Sequence, residues 1–291
     1  MRSNKWLLPV FVLLIASLAC SIPGQSPAQP TPMQDTPQDQ PVGQSPTDTV
    51  EPPASPTDTA EPPTATPQPD FCFEGVCFDY DAALGQPWGA VIPAEPVADG
   101  DPTWMGHPEY IEIKFNNYIR GETFHEAAIR VYSVAAYRQF SPIVDEEFMN
   151  FHSFIQQKPQ DQENLPFLPN WPAAQAFHAQ MKYLSFQNGE GVRYFTEYTQ
   201  YFVPVNNDEL FYTFQGMTAD GQWYVSMVLP VGHPMLPVDS NAVPQEQMDA
   251  MSQDYEPYIT DMVNQLNSQP DNSYVPGLQL LDELVTTLRI K

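Results

Sequence analysis

The stretch LFYTFQGMTADGQWYVSMVL, residues 210–229, sets the architecture. Two runs rich in aromatic and β-branched residues, Leu210 to Met217 and Gln222 to Leu229, flank Asp220-Gly221, a dipeptide suited to a tight turn between paired strands. Leu210, Tyr212 and Phe214 line one apolar face and Trp223, Val225, Met227 and Leu229 another, the two-residue period of a strand. The reading is an antiparallel hairpin, and the rest of the chain is placed outward from it.

Upstream, Asn188-Gly189 marks a turn, and Val192 to Val203 is rich in the β-forming residues Tyr, Phe and Thr. Tyr110 to Phe115 and Ala128 to Val134 alternate apolar with polar and are expected as strands. Ser141-Pro142 starts a helix with Asp145, Glu146 and Glu147 near its positive end; Val144, Phe148, Phe151 and Ile155 recur at helical spacing and Pro159 closes it. Asn170, Trp171 and Pro172 are read as opening a second helix, with Ala174, Phe177, Met181 and Leu184 on one side. A third runs from Pro244 through Met248, Met251, Tyr255, Ile259, Met262 and Leu266, kinked or split at Pro257, and a last follows Pro276 with Leu280, Leu281, Leu284 and Leu288. Strands before and after helices, several of them in hairpins, give an α+β class: a mostly antiparallel sheet flanked by helices.

From Leu165 to Pro237 the wording is distinctive: LPFLPNWPAAQAFHAQMKYLSFQNGEGVRYFTEYTQYF, then NNDELFYTFQGMTADGQWYVSMVLPVGHPMLP. This block, about a quarter of the chain, resembles a family of exported bacterial lipoproteins marked by an FQNGxGVR turn and an ELFYTFQGxTxDGxxYV hairpin. The resemblance implies export and brings no activity with it. More loosely, a hairpin-rich sheet closed by a C-terminal helix is similar to the PsbP-like α/β/α sandwich, a fold associated with binding and assembly; fold alone licenses little about function.

The N-terminal region agrees with export. Arg2 and Lys5 precede the apolar run Trp6 to Ala19, which Pro9 interrupts and which falls short of the roughly 20 residues a membrane span needs. Residues 1–19 are therefore expected to be a signal peptide. Ser17-Leu18-Ala19-Cys20 resembles the lipobox of bacterial lipoproteins, although Ser17 stands where that pattern prefers Leu. The resemblance implies a lipidated Cys20 as mature N-terminus. Residues 21–69 hold 14 prolines and six acids with no basic and no aromatic residue, including the imperfect repeat SPTDTVEPPA, SPTDTAEPPT. Such a segment has too little apolar surface to offset the entropy of ordering, so 20–69 is expected to be a disordered linker behind the lipid and 70–291 a single globular domain.

Cys72 and Cys77 flank Phe73-Glu74-Gly75-Val76. A two-residue turn at Glu74-Gly75 sets Cys72 opposite Cys77, within bridging distance. A metal site and free thiols are the alternatives; structural zinc wants four ligands, and an oxidising compartment favours the disulfide. Cys20 is then the thiol left over.

With 36 acidic and 11 basic residues the formal charge is −25, which opposes a nucleic-acid surface. His125-Glu126 begins like a zinc-protease motif, but Ile129 replaces the second histidine. Asp79 with Asp81, Asp99 with Asp101, and Asp208 with Glu209 are acid pairs whose ordinary role is solvated loop surface; Asp99-Gly100-Asp101 would suit a hard cation but lacks EF-hand spacing. His107 and His233 recur in Gly-His-Pro tripeptides that could share a surface. No catalytic residue, metal ligand or cofactor is assigned. The expected function is a non-catalytic binding or scaffolding domain at the bacterial cell surface, anchored in the membrane by its lipid. Its further partner would be a surface protein or a cell-wall component. The rival is a secreted hydrolase built from carboxylates and a histidine.

Overall fold

The computed structural model describes residues 68–98, 101–140, 142–160 and 162–291, all within the compact unit Thr64–Lys291. The expected signal peptide over 1–19, the expected lipidation site Cys20 and the proline-rich stretch as far as residue 67 lie outside the described residues, as do Asp99 and Gly100. In chain order the elements are β1 (Phe71–Phe73), β2 (Val76–Phe78), β3 (Gln86–Ile92), β4 (Tyr110–Asn116), β5 (Ala128–Ser133), α1 (Val134–Phe140), α2 (Pro142–Gln157), β6 (Ala174–Gln175), β7 (Ala179–Phe186), β8 (Gly189–Thr196), β9 (Tyr198–Thr199), β10 (Phe211–Thr218), β11 (Trp223–Pro230), α3 (Gln245–Gln253), α4 (Tyr255–Ser268), α5 (Leu278–Thr287) and β12 (Arg289–Ile290). Seven strands form one antiparallel sheet in the order β3-β4-β5-β11-β10-β8-β7, which makes the fold α+β.

The hairpin β10–β11 lies inside this sheet. Tyr212 stands opposite Leu229 and Phe214 opposite Met227. Opposed residues share a face, so the two apolar sets of the hairpin form one surface. Its turn is tied by Asp220, whose Oδ1 accepts from Thr218 Oγ1 at 2.6 Å and from the Gln222 amide at 3.0 Å. Gly221 takes a φ of +69°, which glycine adopts without Cβ strain.

One face of the sheet, with Ile113, Ile129, Phe195, Phe214 and Val225, packs under Leu281, Leu284 and Leu288 at α5 and Leu266 of α4. The other carries Tyr132, Tyr194 and Tyr224 beneath Val144, Phe148, Phe151 and Ile155 of α2. Helices thus cover both faces in α/β/α layers, each helix burying the stripe its apolar spacing defines.

The α5 face also encloses charge. Arg193 Nε lies 3.2 Å from Asp282 Oδ1, Lys182 Nζ lies 2.9 Å from Oδ2, and Tyr212 Oη donates to Oδ1 at 3.2 Å. Arg193 is 3% exposed, so its guanidinium depends on the Asp282 carboxylate of α5 to balance it.

Cys72 and Cys77 are bridged, with Cα atoms 4.2 Å apart, across a hairpin whose turn residues Glu74 and Gly75 have φ of +45° and +83°. The predicted pairing is therefore present. β12 then adds to β2, placing Ile290 opposite Val76, so the last residues of the chain close over the clasp.

The expected helix over Ala174 to Leu184 is absent: the segment forms β6, a loop and the edge strand β7. A bulge between Ala179 and Lys182 breaks the two-residue period and leaves apolar residues at spacings that imitate a helix. Gln180, with φ +55° in the bulge, donates its amide to Asn267 Oδ1 at 2.6 Å and its side chain to the Leu266 carbonyl at 2.9 Å, which fixes the irregularity to the end of α4. Val134 opens α1 and does not extend β5. The late helix does split, at Asp254; Pro257 sits in the first turn of α4, where its missing N–H costs no helical bond. Among the described residues no helix is long and apolar enough to cross a membrane.

Candidate functional site

Where β10 leaves the loop Val203–Leu210, Phe211 faces away from α5 and starts an aromatic cluster. The short pairing of β6 with β9, Ala174 opposite Thr199 and Gln175 opposite Tyr198, folds Trp171 and Tyr198 over it. Gln175 fixes the arrangement: its Oε1 accepts from the Leu165 amide at 2.9 Å and its Nε2 donates to Tyr198 Oη at 3.1 Å. The Trp171 ring stacks on His125 at 4.9 Å and 18°, and meets Tyr198 edge-on at 5.2 Å and 74°. Phe167 and Phe211 back the cluster, at 4.8 Å and 5.6 Å from Trp171.

Beside these rings opens a cleft of about 500 Å³, with Phe124 and Tyr201 on its walls and Thr199, Gln200, Val203 and Glu209 also lining it. Phe124 is 67% exposed and Tyr201 73%. Large aromatic side chains left in solvent beside buried ones are what a recognition surface offers and a closed core does not.

Charge in the cleft is one-sided. Burial, together with the nearby Arg130, lowers the His125 pKa to about 4, so the ring is neutral at pH 7. Burial and the adjacent Asp208 raise that of Glu209. Behind it Glu197 is 1% exposed; burial, reinforced by Glu209, raises its pKa well above the usual carboxylate range, while its Oε1 accepts from the Asn206 amide at 2.8 Å. Among the described residues no lysine or arginine lines the cleft.

Two other hollows are less committed. One of about 510 Å³ runs between α2 and residues 159–170, where Asn170 Nδ2 donates to Glu147 Oε1 at 2.8 Å and Glu147 Oε2 is buried without a partner. The other, about 700 Å³, lies on the far side of His125, beside Trp88 and the Lys114–Glu126 ion pair.

The residues singled out in the sequence are scattered. Asp79 Oδ1 accepts the Asp70 amide at 3.1 Å and Asp81 caps a short 3-10 turn through the Ala83 amide at 2.7 Å, so both carboxylates serve the local chain. Asp101 is exposed, its expected partner Asp99 lies outside the described residues, and among the described residues no group of three His, Cys, Asp or Glu could hold a metal. Of the acid pairs, Asp79 and Asp81 also line a hollow of about 370 Å³ beside α5, and of Asp208 and Glu209 it is Glu209 that lines the aromatic cleft. The two Gly-His-Pro histidines have different neighbours: His107 pairs with Glu95 at 3.6 Å, and His233 with Ser273.

That last contact has the composition of a hydrolytic dyad, His233 Nε2 to Ser273 Oγ at 3.0 Å, and its hydrogen bonds argue against the role. His233 Nδ1 accepts from the Met235 amide at 3.2 Å, so the neutral ring carries its proton on Nε2 and donates to the serine. Ser273 in turn donates to the Pro270 carbonyl at 2.7 Å. A nitrogen already protonated cannot take the hydroxyl proton.

The cleft itself was missed in sequence because Asn170-Trp171-Pro172 has the form of a helix start. The available signal was aromatic density without alternation in RYFTEYTQYF, residues 193–202. No family model, curated protein or solved structure matches the chain.

Proposed function

We propose that this is an extracytoplasmic binding domain, tethered to the bacterial cell membrane through a lipid on Cys20 and the linker 20–69, and that its ligand site is the cleft of Phe124, Trp171, Tyr198 and Tyr201. One observation carries the reading: four aromatic side chains converge on a half-open hollow while two of them stay largely in solvent. Leaving such rings uncovered forfeits apolar burial, a cost that a ligand can recover. The expected leader, the third cysteine Cys20 outside the Cys72–Cys77 bridge and the acidic composition support the location.

Titration of the full chain with the neutral apolar dye Nile red tests the site. Saturable 1:1 binding that Tyr201→Ala and Phe124→Ala weaken, with unfolding midpoints unchanged, supports it; binding indifferent to both variants removes it. Mass spectrometry of membrane-extracted protein tests the tether. Diacylated or triacylated Cys20 is expected, and an unmodified N-terminus elsewhere overturns it.

A further inference from the structure

We propose that the cleft takes a quaternary ammonium group, held against the faces of Trp171, Tyr198, Tyr201 and Phe124 with Glu209 as its counter-charge. This rests on the reading of the cleft as the ligand site. Aromatic faces carry the negative end of the ring quadrupole and attract a cation set over them. Trp171 and Tyr198 line the hollow with Phe124 and Tyr201, whose rings stay largely in solvent, and the stack on His125 holds the indole in place. A methylated ammonium leaves water more readily than a lysine head and still keeps its full charge.

The charge pattern supports the same class of ligand. Among the described residues Glu209 is the one acid lining the hollow, the one basic side chain there is the partly buried, neutral His125, and Glu209 makes no ion pair. A half-buried carboxylate without a cation beside it is costly, and a ligand cation relieves that cost. A sugar would stack on the same rings but needs several directed hydrogen bonds. Of the polar side chains in the cleft, the Gln200 amide already donates to the Pro172 carbonyl at 2.7 Å. At about 500 Å³ the hollow exceeds a trimethylammonium group and leaves room for the chain that bears it.

Isothermal titration of the full chain with choline chloride, and with 3,3-dimethylbutan-1-ol as its uncharged carbon analogue, tests the proposal. Choline should bind with 1:1 stoichiometry and about tenfold tighter than the analogue. Tyr201→Ala should abolish the binding. Glu209→Gln should weaken choline about tenfold and so narrow the gap between choline and the carbon analogue. Flotation with phosphatidylcholine vesicles separates two supporting outcomes: co-flotation that free choline competes away identifies a lipid headgroup as source, and choline binding without flotation identifies a free solute. Equal affinity for the carbon analogue, or no choline binding, overturns the ammonium proposal. If Nile red still depends on Tyr201 in that case, the cleft remains the site for another ligand; if it does not, both readings fall.

Discussion

The α5 face of the sheet and the aromatic end of the opposite face are built from similar residue types and put to different uses. Under α5, Phe195, Tyr212 and Phe214 are fully covered, and even the charge of Arg193 is balanced inside by Asp282. Around Trp171 the rings pack on one side and stay open on the other, and among the described residues Glu197 and Glu209 make no ion pair. Closed packing returns its full apolar gain to the fold, whereas the open end holds that gain in reserve for something that is not part of the chain. The contrast makes stability and binding separable by mutation.

Asp282→Ala should break that contrast most severely. It leaves the Arg193 guanidinium buried without its partner, at a cost of about 3–5 kcal/mol. Urea unfolding should record that loss, while the variant, assayed where it is folded, keeps its Nile red affinity; a loss under ~1 kcal/mol would mean the pair is not buried as described. Reducing the Cys72–Cys77 bridge comes next. A loop this short contributes about 2 kcal/mol through the unfolded chain, and reduction should lower the urea midpoint without touching the cleft.

The smallest effect sharpens the comparison at the open end. The pKa of Glu197 is raised in the folded protein, so the folded state holds its proton above the pH at which the unfolded chain releases it. This group therefore subtracts stability as pH rises through and beyond the unfolded carboxylate value near 4.5. Glu197→Gln keeps an acceptor for the Asn206 amide and removes the titration. Thermal unfolding should show the variant gaining on the parent from pH 4 to pH 8, and equal slopes would show that Glu197 is not desolvated.

Regular elements were legible in the sequence where one physical rule governed them. Asp220-Gly221 announced its hairpin, Glu74-Gly75 aligned the two cysteines, and Val144, Phe148, Phe151 and Ile155 traced the buried stripe of α2. The misreading of 170–184 came where two rules met: an edge strand with a bulge presented apolar residues at spacings of three and four. β3 went unrecognised because Pro87 and Gly89 argue against a strand interior, yet at a sheet edge both are tolerated. The candidate site was least legible. Phe124, Trp171, Tyr198 and Tyr201 come from three separate segments, and the pairing of two dipeptides, Ala174-Gln175 and Tyr198-Thr199, with the Gln200–Pro172 hydrogen bond, brings two of those segments together.

The placement of the clasp has a mechanical meaning. A pull arriving from the N-terminal side enters the fold at Phe71 and meets a covalent link at the next residue, so β1 cannot be unzipped from β2 one hydrogen bond at a time. The tension passes to β2, which β12 grips on its other edge and which packs beneath α5. Tension entering there is thereby passed to the layer packed under α5, away from the half-open rings at the opposite face.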